Sequence, residues 1–225
     1  MISQHDEQNS GAARELIVSI KAKGNRYLIQ LDNGKQLKYH KEVVIGSEIK
    51  EGTFLNDSLL KKMIAKEQEI EAHESAIRLL SFRARSVKEL KERLQKKGLS
   101  IEIINKEIDR LHNVGLLNDL EFAKLWVADR GKGRAPRSRQ VLKFELRQHG
   151  IKDSILEKIL DEIDDNENAL QLARKKARSL TETEKNVFQK KIYANLKRKG
   201  FDYETIQRSV TTVWIEMNEP LEEKR

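Results

Sequence analysis

The stretch Ala76–Gly98, AIRLLSFRARSVKELKERLQKKG, decides the fold of this 225-residue chain. Ser86 stands three residues before Glu89, which is the spacing of a capping box at the start of a helix. The apolar residues that follow recur at intervals of three and four: Val87, Leu90 and Leu94. Two lysines and a glycine then close the stretch, as at many helix C-termini. The stretch therefore predicts an amphipathic helix from about Ser86 to Lys97.

The same pattern occurs three times along the chain. Gly98, Gly150 and Gly200 are 52 and 50 residues apart, and apolar residues occupy the same five places around each of them. In the three copies, the five columns are Leu90, Leu142 and Ile192; Leu94, Leu146 and Leu196; Leu99, Ile151 and Phe201; Ile104, Leu156 and Ile206; and Ile108, Leu160 and Val210. This periodicity predicts a tandem helical repeat in which each unit packs on its neighbours.

The chain before the repeats has a different period. Apolar residues alternate from about Arg14 to Lys41, and Asp32-Asn33-Gly34 is a hairpin signal, so a three-stranded antiparallel sheet is predicted. The segment from Val43 to Thr53 is rich in turn residues. A long helix is expected from about Asp57 to Arg83, and its polar middle, Lys66–Ser75, is expected to be a solvated connector.

The predicted fold is therefore mainly α-helical: a tandem array of three three-helix repeats, preceded by a small antiparallel β segment and a long connecting helix. The expected divisions are a flexible tail at 1–13, the sheet at 14–56, repeat 1 with the connecting helix at 57–114, repeat 2 at 115–163, repeat 3 at 164–218 and a second tail at 219–225.

Charge is unevenly distributed in the repeats. The chain carries a net charge of +8, which favours a polyanionic partner. The second helix of each repeat lies in a basic patch, and these patches are Arg78–Lys97, Arg130–Arg147 and Arg174–Lys199. Asp153–Glu167, by contrast, contains seven acids and one lysine. Because the apolar stripe is needed for packing, the basic side chains are expected on the solvent-facing side.

Signs of catalysis or of membrane insertion are absent from the sequence. It has no cysteine, no phosphate-binding glycine loop and no pair of histidines at metal-ligand spacing, so we expect neither an enzyme nor a cofactor. No apolar run approaches the roughly 20 residues of a membrane span. The spacing of Trp126 with Phe122 favours a core position over base stacking.

Motifs in the first two repeats resemble those of the RecX family of recombinase regulators. The first-repeat motifs are Leu80-Ser81-Phe82-Arg83-Ala84-Arg85-Ser86, Glu89-Leu90, Leu94 and Lys97-Gly98. The second-repeat motifs are Gly115-Leu116-Leu117-Asn118-Asp119, Phe122-Ala123, Trp126-Val127, Arg130, Glu145-Leu146 and Gly150-Ile151. The match extends less specifically into the third repeat through Leu196 and Lys199-Gly200-Phe201. Asn118, where an acid is common, and a longer basic loop before Pro136 depart from the family pattern, and the N-terminal sheet resembles only some members.

The resemblance implies a cytoplasmic protein of DNA repair, recombination and the SOS response. Such proteins bind the RecA filament on single-stranded DNA, lie in its groove, and reduce its ATP hydrolysis, strand exchange and co-protease activity. We expect a monomer without a cofactor or a membrane partner. Two alternatives stay open from the residues alone: a general basic nucleic-acid-binding helical module that binds DNA directly, and a helical-repeat adaptor for another acidic protein.

Two basic patches supply the candidate partner-binding or DNA-binding residues. Arg83 and Arg85 are candidates because they belong to the family motif, whereas the other residues are candidates because of their charge alone. The candidates in the first patch are Arg83, Arg85, Lys88 and Lys91, and those in the second are Arg130, Arg134, Arg137, Arg139 and Arg147. The sequence does not decide whether they contact protein or DNA. Charge reversal at Arg137 and Arg139 is expected to weaken filament binding without a loss of helicity.

Overall fold

A computed structural model of the chain describes residues 15–180 and 184–218. The described residues form two compact units, one of residues 15–81 with 94–109 and the other of residues 82–93 with 110–218. The predicted tails at 1–13 and 219–225 lie outside the described residues.

The first unit contains a four-stranded antiparallel sheet where the sequence predicted three strands. Its strands, in the spatial order β3-β2-β1-β4, are β1 (Glu15–Lys23), β2 (Arg26–Leu31), β3 (Gln36–His40) and β4 (Phe54–Leu55). The additional strand, β4, pairs only Phe54 and Leu55 with the start of β1. A two-residue strand has no alternation, so its sequence carries no signal. Helix α1 (Lys41–Gly46) replaces the start of the predicted turn region, and the His40 side chain caps it by accepting from the amide of Glu42.

The helices that follow agree with the predicted order. They are α2 (Asp57–Phe82), α3 (Val87–Gln95), α4 (Ile101–Asn113), α5 (Asp119–Arg130), α6 (Arg139–Gln148), α7 (Asp153–Leu160), α8 (Asp165–Ala177), α9 (Lys185–Arg198) and α10 (Tyr203–Asn218). The predicted fold class is confirmed: three three-helix repeats follow a small antiparallel sheet and a long helix. None of the helices in the described ranges is long and apolar enough to cross a membrane.

The middle of α2 is not the solvated connector that its polar sequence suggested. Ala72, Ser75 and Ala76 are buried there. The polar side chains nearby have partners within the first unit: Nδ1 of His73 lies 2.8 Å from Oε1 of the buried Glu107, and Nζ of Lys97 donates to Ser75 Oγ at 2.9 Å. Small residues and paired polar groups therefore allow this part of α2 to pack although it has few large apolar side chains.

The repeat pattern is confirmed by burial, since every residue of the five predicted apolar columns is buried. The second repeat has its own core, in which Phe122 and Val127 of α5 pack with Leu142 of α6 and Leu156 of α7. The third repeat has an equivalent core formed by α8, α9 and α10, with Phe188 among its largest buried side chains.

Two of the repeat glycines lie where consecutive repeats meet. Gly150 and Gly200 have φ angles of +80° and +86°, which glycine adopts at little cost. A Cβ atom at Gly200 would lie 2.2 Å from Cγ2 of Val141, and one at Gly150 would lie 2.7 Å from Cβ of Lys88. The end of the second helix of one repeat thus approaches the beginning of the second helix of the repeat before it.

Candidate arginine–aromatic site

Helices α3 and α6 begin in the same way, and this start places the candidate arginines. The amide of Glu89 donates to Ser86 Oγ at 3.1 Å, and the amide of Val141 donates to Ser138 Oγ at 3.3 Å. Ser86 is the cap that the sequence predicted from its spacing to Glu89, and Ser138 stands twelve residues before Gly150, as Ser86 does before Gly98. The loops that end at Ser86 and Ser138 carry Arg83, Arg85, Arg134 and Arg137.

An aspartate of the following repeat completes each helix start. The amide of Val87 donates to Asp119 Oδ1 at 2.8 Å, and the amide of Arg139 donates to Asp165 Oδ1 at 2.8 Å. Burial raises the pKa of both carboxyl groups, although these hydrogen bonds act in the opposite direction. The second and third repeats therefore each hold the second helix of the repeat before them by a hydrogen bond from a backbone amide to the side chain of a half-buried aspartate.

Arg83 and Arg85 converge on one carboxylate in the first cluster, which consists of these two arginines and Glu89. Arg83 Nη1 donates to Glu89 Oε2 at 3.0 Å, and Arg85 forms a salt bridge with the same carboxylate. Burial raises the pKa of Glu89, but the hydrogen bonds and charges of the two arginines outweigh burial and hold that pKa below its ordinary value. The side chain of Arg85 is only 10% exposed, so the expectation that it lies on the solvent-facing side is wrong.

Glu145 organises a second cluster, which consists of Arg130, Arg137 and Trp126 around its carboxylate. Arg137 forms a salt bridge with Oε1, Arg130 Nη1 lies 3.5 Å from the same atom, and Trp126 Nε1 donates to Oε2 at 2.9 Å. The guanidinium carbon of Arg130 also lies 4.1 Å from the centre of the Trp126 ring, within cation–π distance. One carboxylate therefore fixes two arginines and the orientation of an indole.

Trp126 and the neighbouring His149 are half-buried, whereas Phe122 beside them is buried. Its ring centre lies 4.4 Å from that of His149 and 5.7 Å from that of Phe122. Burial lowers the pKa of His149, and the charges of Arg83 and Arg130 lower it further against the effect of Glu89 and Glu145. The imidazole is therefore neutral at neutral pH and contributes a flat, weakly polar face.

A groove of about 480 Å³ connects the two clusters. Its walls are the apolar side chains of Ala84, Phe122, Leu125 and Trp126 together with the polar side chains of Arg83, Asp129, Arg130 and His149. Leu125 is 59% exposed, so it adds apolar surface to the wall of the groove that faces solvent. The groove can accept an apolar group with arginine donors at its edge. Its lining contains no serine, threonine or cysteine side chain.

The other predicted site residues lie outside the lining of this groove. Lys88 Nζ donates to the carbonyl oxygen of Gln148 at 3.0 Å, and Lys91 is half-buried on α3. Arg139 donates to the carbonyl oxygens of Asp161 and Ile163 at 3.2 and 3.3 Å, so it closes the end of the neighbouring helix.

Arg147 and Arg134 complete the predicted set. Arg147 Nε donates to Asp153 Oδ1 at 2.9 Å. Arg134 is exposed, and its guanidinium forms no salt bridge with a carboxylate of the residues that the structure describes. The structure therefore brings together Arg83, Arg85, Arg130 and Arg137 but not the remaining five.

Sequence reasoning missed the two organising carboxylates and gave Trp126 only a core position. A signal for Glu145 was present, because it is the only acid within Arg130–Arg147. Glu89 is likewise one of two acids within Arg78–Lys97. An isolated acid inside a basic run is a candidate counter-ion for several of its neighbours.

The chain matches two family models, "RecX, first three-helix domain" over residues 72–111 and "RecX, third three-helix domain" over residues 162–210. Regulatory protein RecX of Chlorobium phaeobacteroides is 34% identical over 143 residues, which cover 64% of this chain and 93% of that relative. The chain belongs to the RecX family. Regulatory protein RecX of Bacillus pumilus is 30% identical over 215 residues, 92% of this chain and 81% of that relative, so the RecX likeness extends over the N-terminal sheet.

Solved RecX structures share the fold. The crystal structure of a regulatory protein RecX superposes with a TM-score of 0.61 at 23% identity and covers 86% of this chain and 97% of its own. The crystal structure of RecX from Lactobacillus salivarius gives a TM-score of 0.57 at 25% identity and covers 67% of this chain and 99% of its own. The described part of this RecX chain contains no cluster of three or more side chains suited to hold a metal ion.

Proposed function

We propose that this RecX-family chain is a negative regulator of RecA. It binds the groove of the RecA filament on single-stranded DNA and lowers ATP hydrolysis, strand exchange and co-protease activity. The observation that carries this proposal is the likeness to a regulatory protein RecX at 34% identity over 93% of that relative's length. The protein acts by binding alone, as a cytoplasmic monomer without a cofactor.

The groove beside Trp126 supports a protein-binding role for the second repeat. Tryptophan and arginine are the residue types most enriched at energetically important positions of protein interfaces. Here Arg83 and Arg130 are already fixed by Glu89 and Glu145, so little side-chain entropy is lost when a partner docks. Leu125 supplies the exposed apolar surface that such a contact would cover.

The basic patches add weak contacts to this central one. Arg134 and Arg147 are exposed beside the second repeat, where they can meet acidic surface of the recombinase or DNA phosphates. Several weak contacts held on one scaffold act at high effective concentration, so together they bind far more tightly than each alone.

The first test is RecA ATP hydrolysis on single-stranded DNA with the RecX chain added below one copy per RecA. Strong inhibition is expected. Leu125→Gln should weaken inhibition about tenfold because it removes apolar contact area of the groove, worth 1–2 kcal/mol. Leu116→Gln is the matched control, since Leu116 is similarly exposed in the same unit but does not line the groove.

Two outcomes would count against the proposal. No inhibition by excess folded wild-type protein would remove the regulator function and leave the nucleic-acid-binding module as the better hypothesis. Equal inhibition by wild type and Leu125→Gln would leave the regulator function in place but remove the groove from the contact surface.

A further inference from the structure

The third repeat contains a second groove that none of the predicted site residues lines. It has a volume of about 710 Å³ and lies between the end of α8 and one face of α9. Its lining residues are Lys176, Ser179, Leu180, Lys191, Tyr193, Ala194, Lys197 and Arg198. Four of these eight carry a positive charge and none is acidic.

The cations of this groove differ from those of the second repeat in having no carboxylate partner within residues 15–180 and 184–218. None of Lys176, Lys191, Lys197 and Arg198 forms a salt bridge with a carboxylate in the residues that the structure describes. Neighbouring cations do have partners: Arg174 forms a salt bridge with Glu216 at 2.6 Å, and Lys175 Nζ donates to the carbonyl oxygen of Arg134 at 3.1 Å. Four cations that line one concave surface without a described carboxylate beside them create a positive potential in which an anion is stabilised.

Aromatic rings lie beside these charges. Nζ of Lys197 is 5.7 Å from the centre of the Tyr193 ring, and Tyr193 meets Tyr203 edge-to-face at 6.4 Å. Tyr203 begins α10 and is 67% exposed, so one face of its ring is open. Exposed aromatic rings next to a basic groove are the arrangement on which unpaired bases stack.

The spacing of the cations along α9 suits a chain of phosphates. Lys191 and Arg198 are seven residues apart, which corresponds to about 10 Å along a helix. These two cations therefore lie about two helical turns apart, so the cations of α9 form a row of positive charge rather than a single point. A single small anion would need only one or two of these cations.

We propose that the third-repeat groove binds the phosphate backbone of single-stranded nucleic acid, with a base stacked on Tyr203. Lys176, Lys191, Lys197 and Arg198 neutralise phosphates of the strand. An acidic peptide fits less well, because only some of its residues carry a ring, whereas every nucleotide brings both a phosphate for the cations and a base that can stack on Tyr203. The inference does not rest on the proposed function, since it requires no RecA.

The test uses the full-length chain without RecA and a fluorescent single-stranded oligothymidylate, with binding followed by anisotropy over a range of salt concentrations. The triple variant Lys191→Gln, Lys197→Gln, Arg198→Gln should lose at least about tenfold in affinity at low salt. Three lost phosphate contacts should also reduce the slope of log K against log salt by about 2. Circular dichroism verifies that the variant keeps its helicity.

The matched control is Lys21→Gln, Lys23→Gln, Lys38→Gln, which removes the same charge from exposed lysines of the sheet in the first unit. Its affinity should stay within about twofold of wild type, because none of these three lysines lines the groove. Tyr203→Leu should lower affinity about fivefold without a change of salt slope, because stacking carries no charge.

Three results would overturn the proposal. Equal losses in the two triple variants would mean that only net charge matters. Wild-type affinity in the groove variant would place the DNA elsewhere. Displacement of the oligonucleotide by an equal charge of poly-glutamate at lower concentration would identify an acidic protein as the better occupant. Inhibition of RecA by the RecX chain is measured separately, so this inference can fail while the regulator proposal survives.

Discussion

Glu145 shows how a single acid can determine the shape of a basic surface. Without it, Arg130 and Arg137 would repel each other, and the indole N–H of Trp126 would lack its acceptor. The planar guanidinium still has unused N–H groups after it meets one carboxylate, so the arginines remain available to a partner. The carboxylate of Glu145 thus holds the two arginines in a fixed geometry and neutralises part of their positive charge.

We predict that Glu145→Gln lowers the free energy of unfolding by about 1–3 kcal/mol, because the half-buried guanidinium groups of Arg130 and Arg137 lose their counter-ion. Chemical unfolding in urea measures the change. Tryptophan fluorescence of the native state should also shift, since Trp126 loses a charged hydrogen-bond acceptor while Trp214 is unaffected.

Glu121→Gln is the matched control. Glu121 pairs with Lys124 at 2.8 Å on the exposed surface of the same repeat, and such pairs contribute below about 1 kcal/mol. If both variants lose the same stability, the Glu145 cluster is no more than an ordinary surface ion pair.

At the scale of helices and strands, what the sequence could predict was local. The serine caps of α3 and α6 and the apolar columns were readable, because capping and helix periodicity depend on residues a few positions apart. The contacts of Asp119 and Asp165 with those helix starts were not, because their partners stand 32 and 26 residues away. Strand β4 was missed for the same reason, as only its pairing with β1 makes it a strand.

The prediction at this scale concerns the link between repeats 2 and 3. Asp165→Ala should lower the free energy of unfolding by about 1–2 kcal/mol, because the amide of Arg139 loses its partner. Asp165→Asn keeps an oxygen acceptor at the same place and removes a carboxylate that is costly to bury. It should therefore match wild type at pH 7 within about 0.5 kcal/mol.

The pH dependence has a defined sign. Burial raises the pKa of Asp165, and the nearby carboxylates of Asp164 and Asp202 raise it further, against the effect of Arg139. The folded state therefore binds this proton more tightly than the unfolded state, so wild type gains stability relative to Asp165→Asn as pH falls into the carboxyl range. Urea unfolding of both proteins at pH 7 and at successively lower pH measures the difference. If wild type instead loses stability relative to Asp165→Asn as the pH falls, that result would contradict the raised pKa of Asp165.

Over the whole molecule, the basic patches that the sequence predicted are of two kinds. In the second repeat most of the arginines have internal partners, so the patch is a set of fixed donors around an apolar groove. In the third repeat the groove cations have none among the described residues. The first kind of patch suits a partner protein whose surface fits the groove in shape. The second kind suits a flexible polyanion, whose own negative charges neutralise the cations. If both proposals hold, one chain contacts both the recombinase and its DNA.

Because of this difference, charge reversal in the second patch should change stability at some positions and only filament binding at others. Arg137→Glu places a carboxylate beside Glu145, and Arg139→Glu removes donors to the end of a neighbouring helix, so each should lower the thermal midpoint by several degrees as well as filament affinity. Arg134→Glu changes an exposed charge and should weaken binding to RecA filaments about tenfold with an unchanged midpoint. Filament binding by surface plasmon resonance and unfolding by circular dichroism, measured on all three variants, separate the two effects. If Arg134→Glu binds like wild type while the other two lose affinity only in proportion to the unfolded fraction, the second patch stabilises the fold and does not contact the filament.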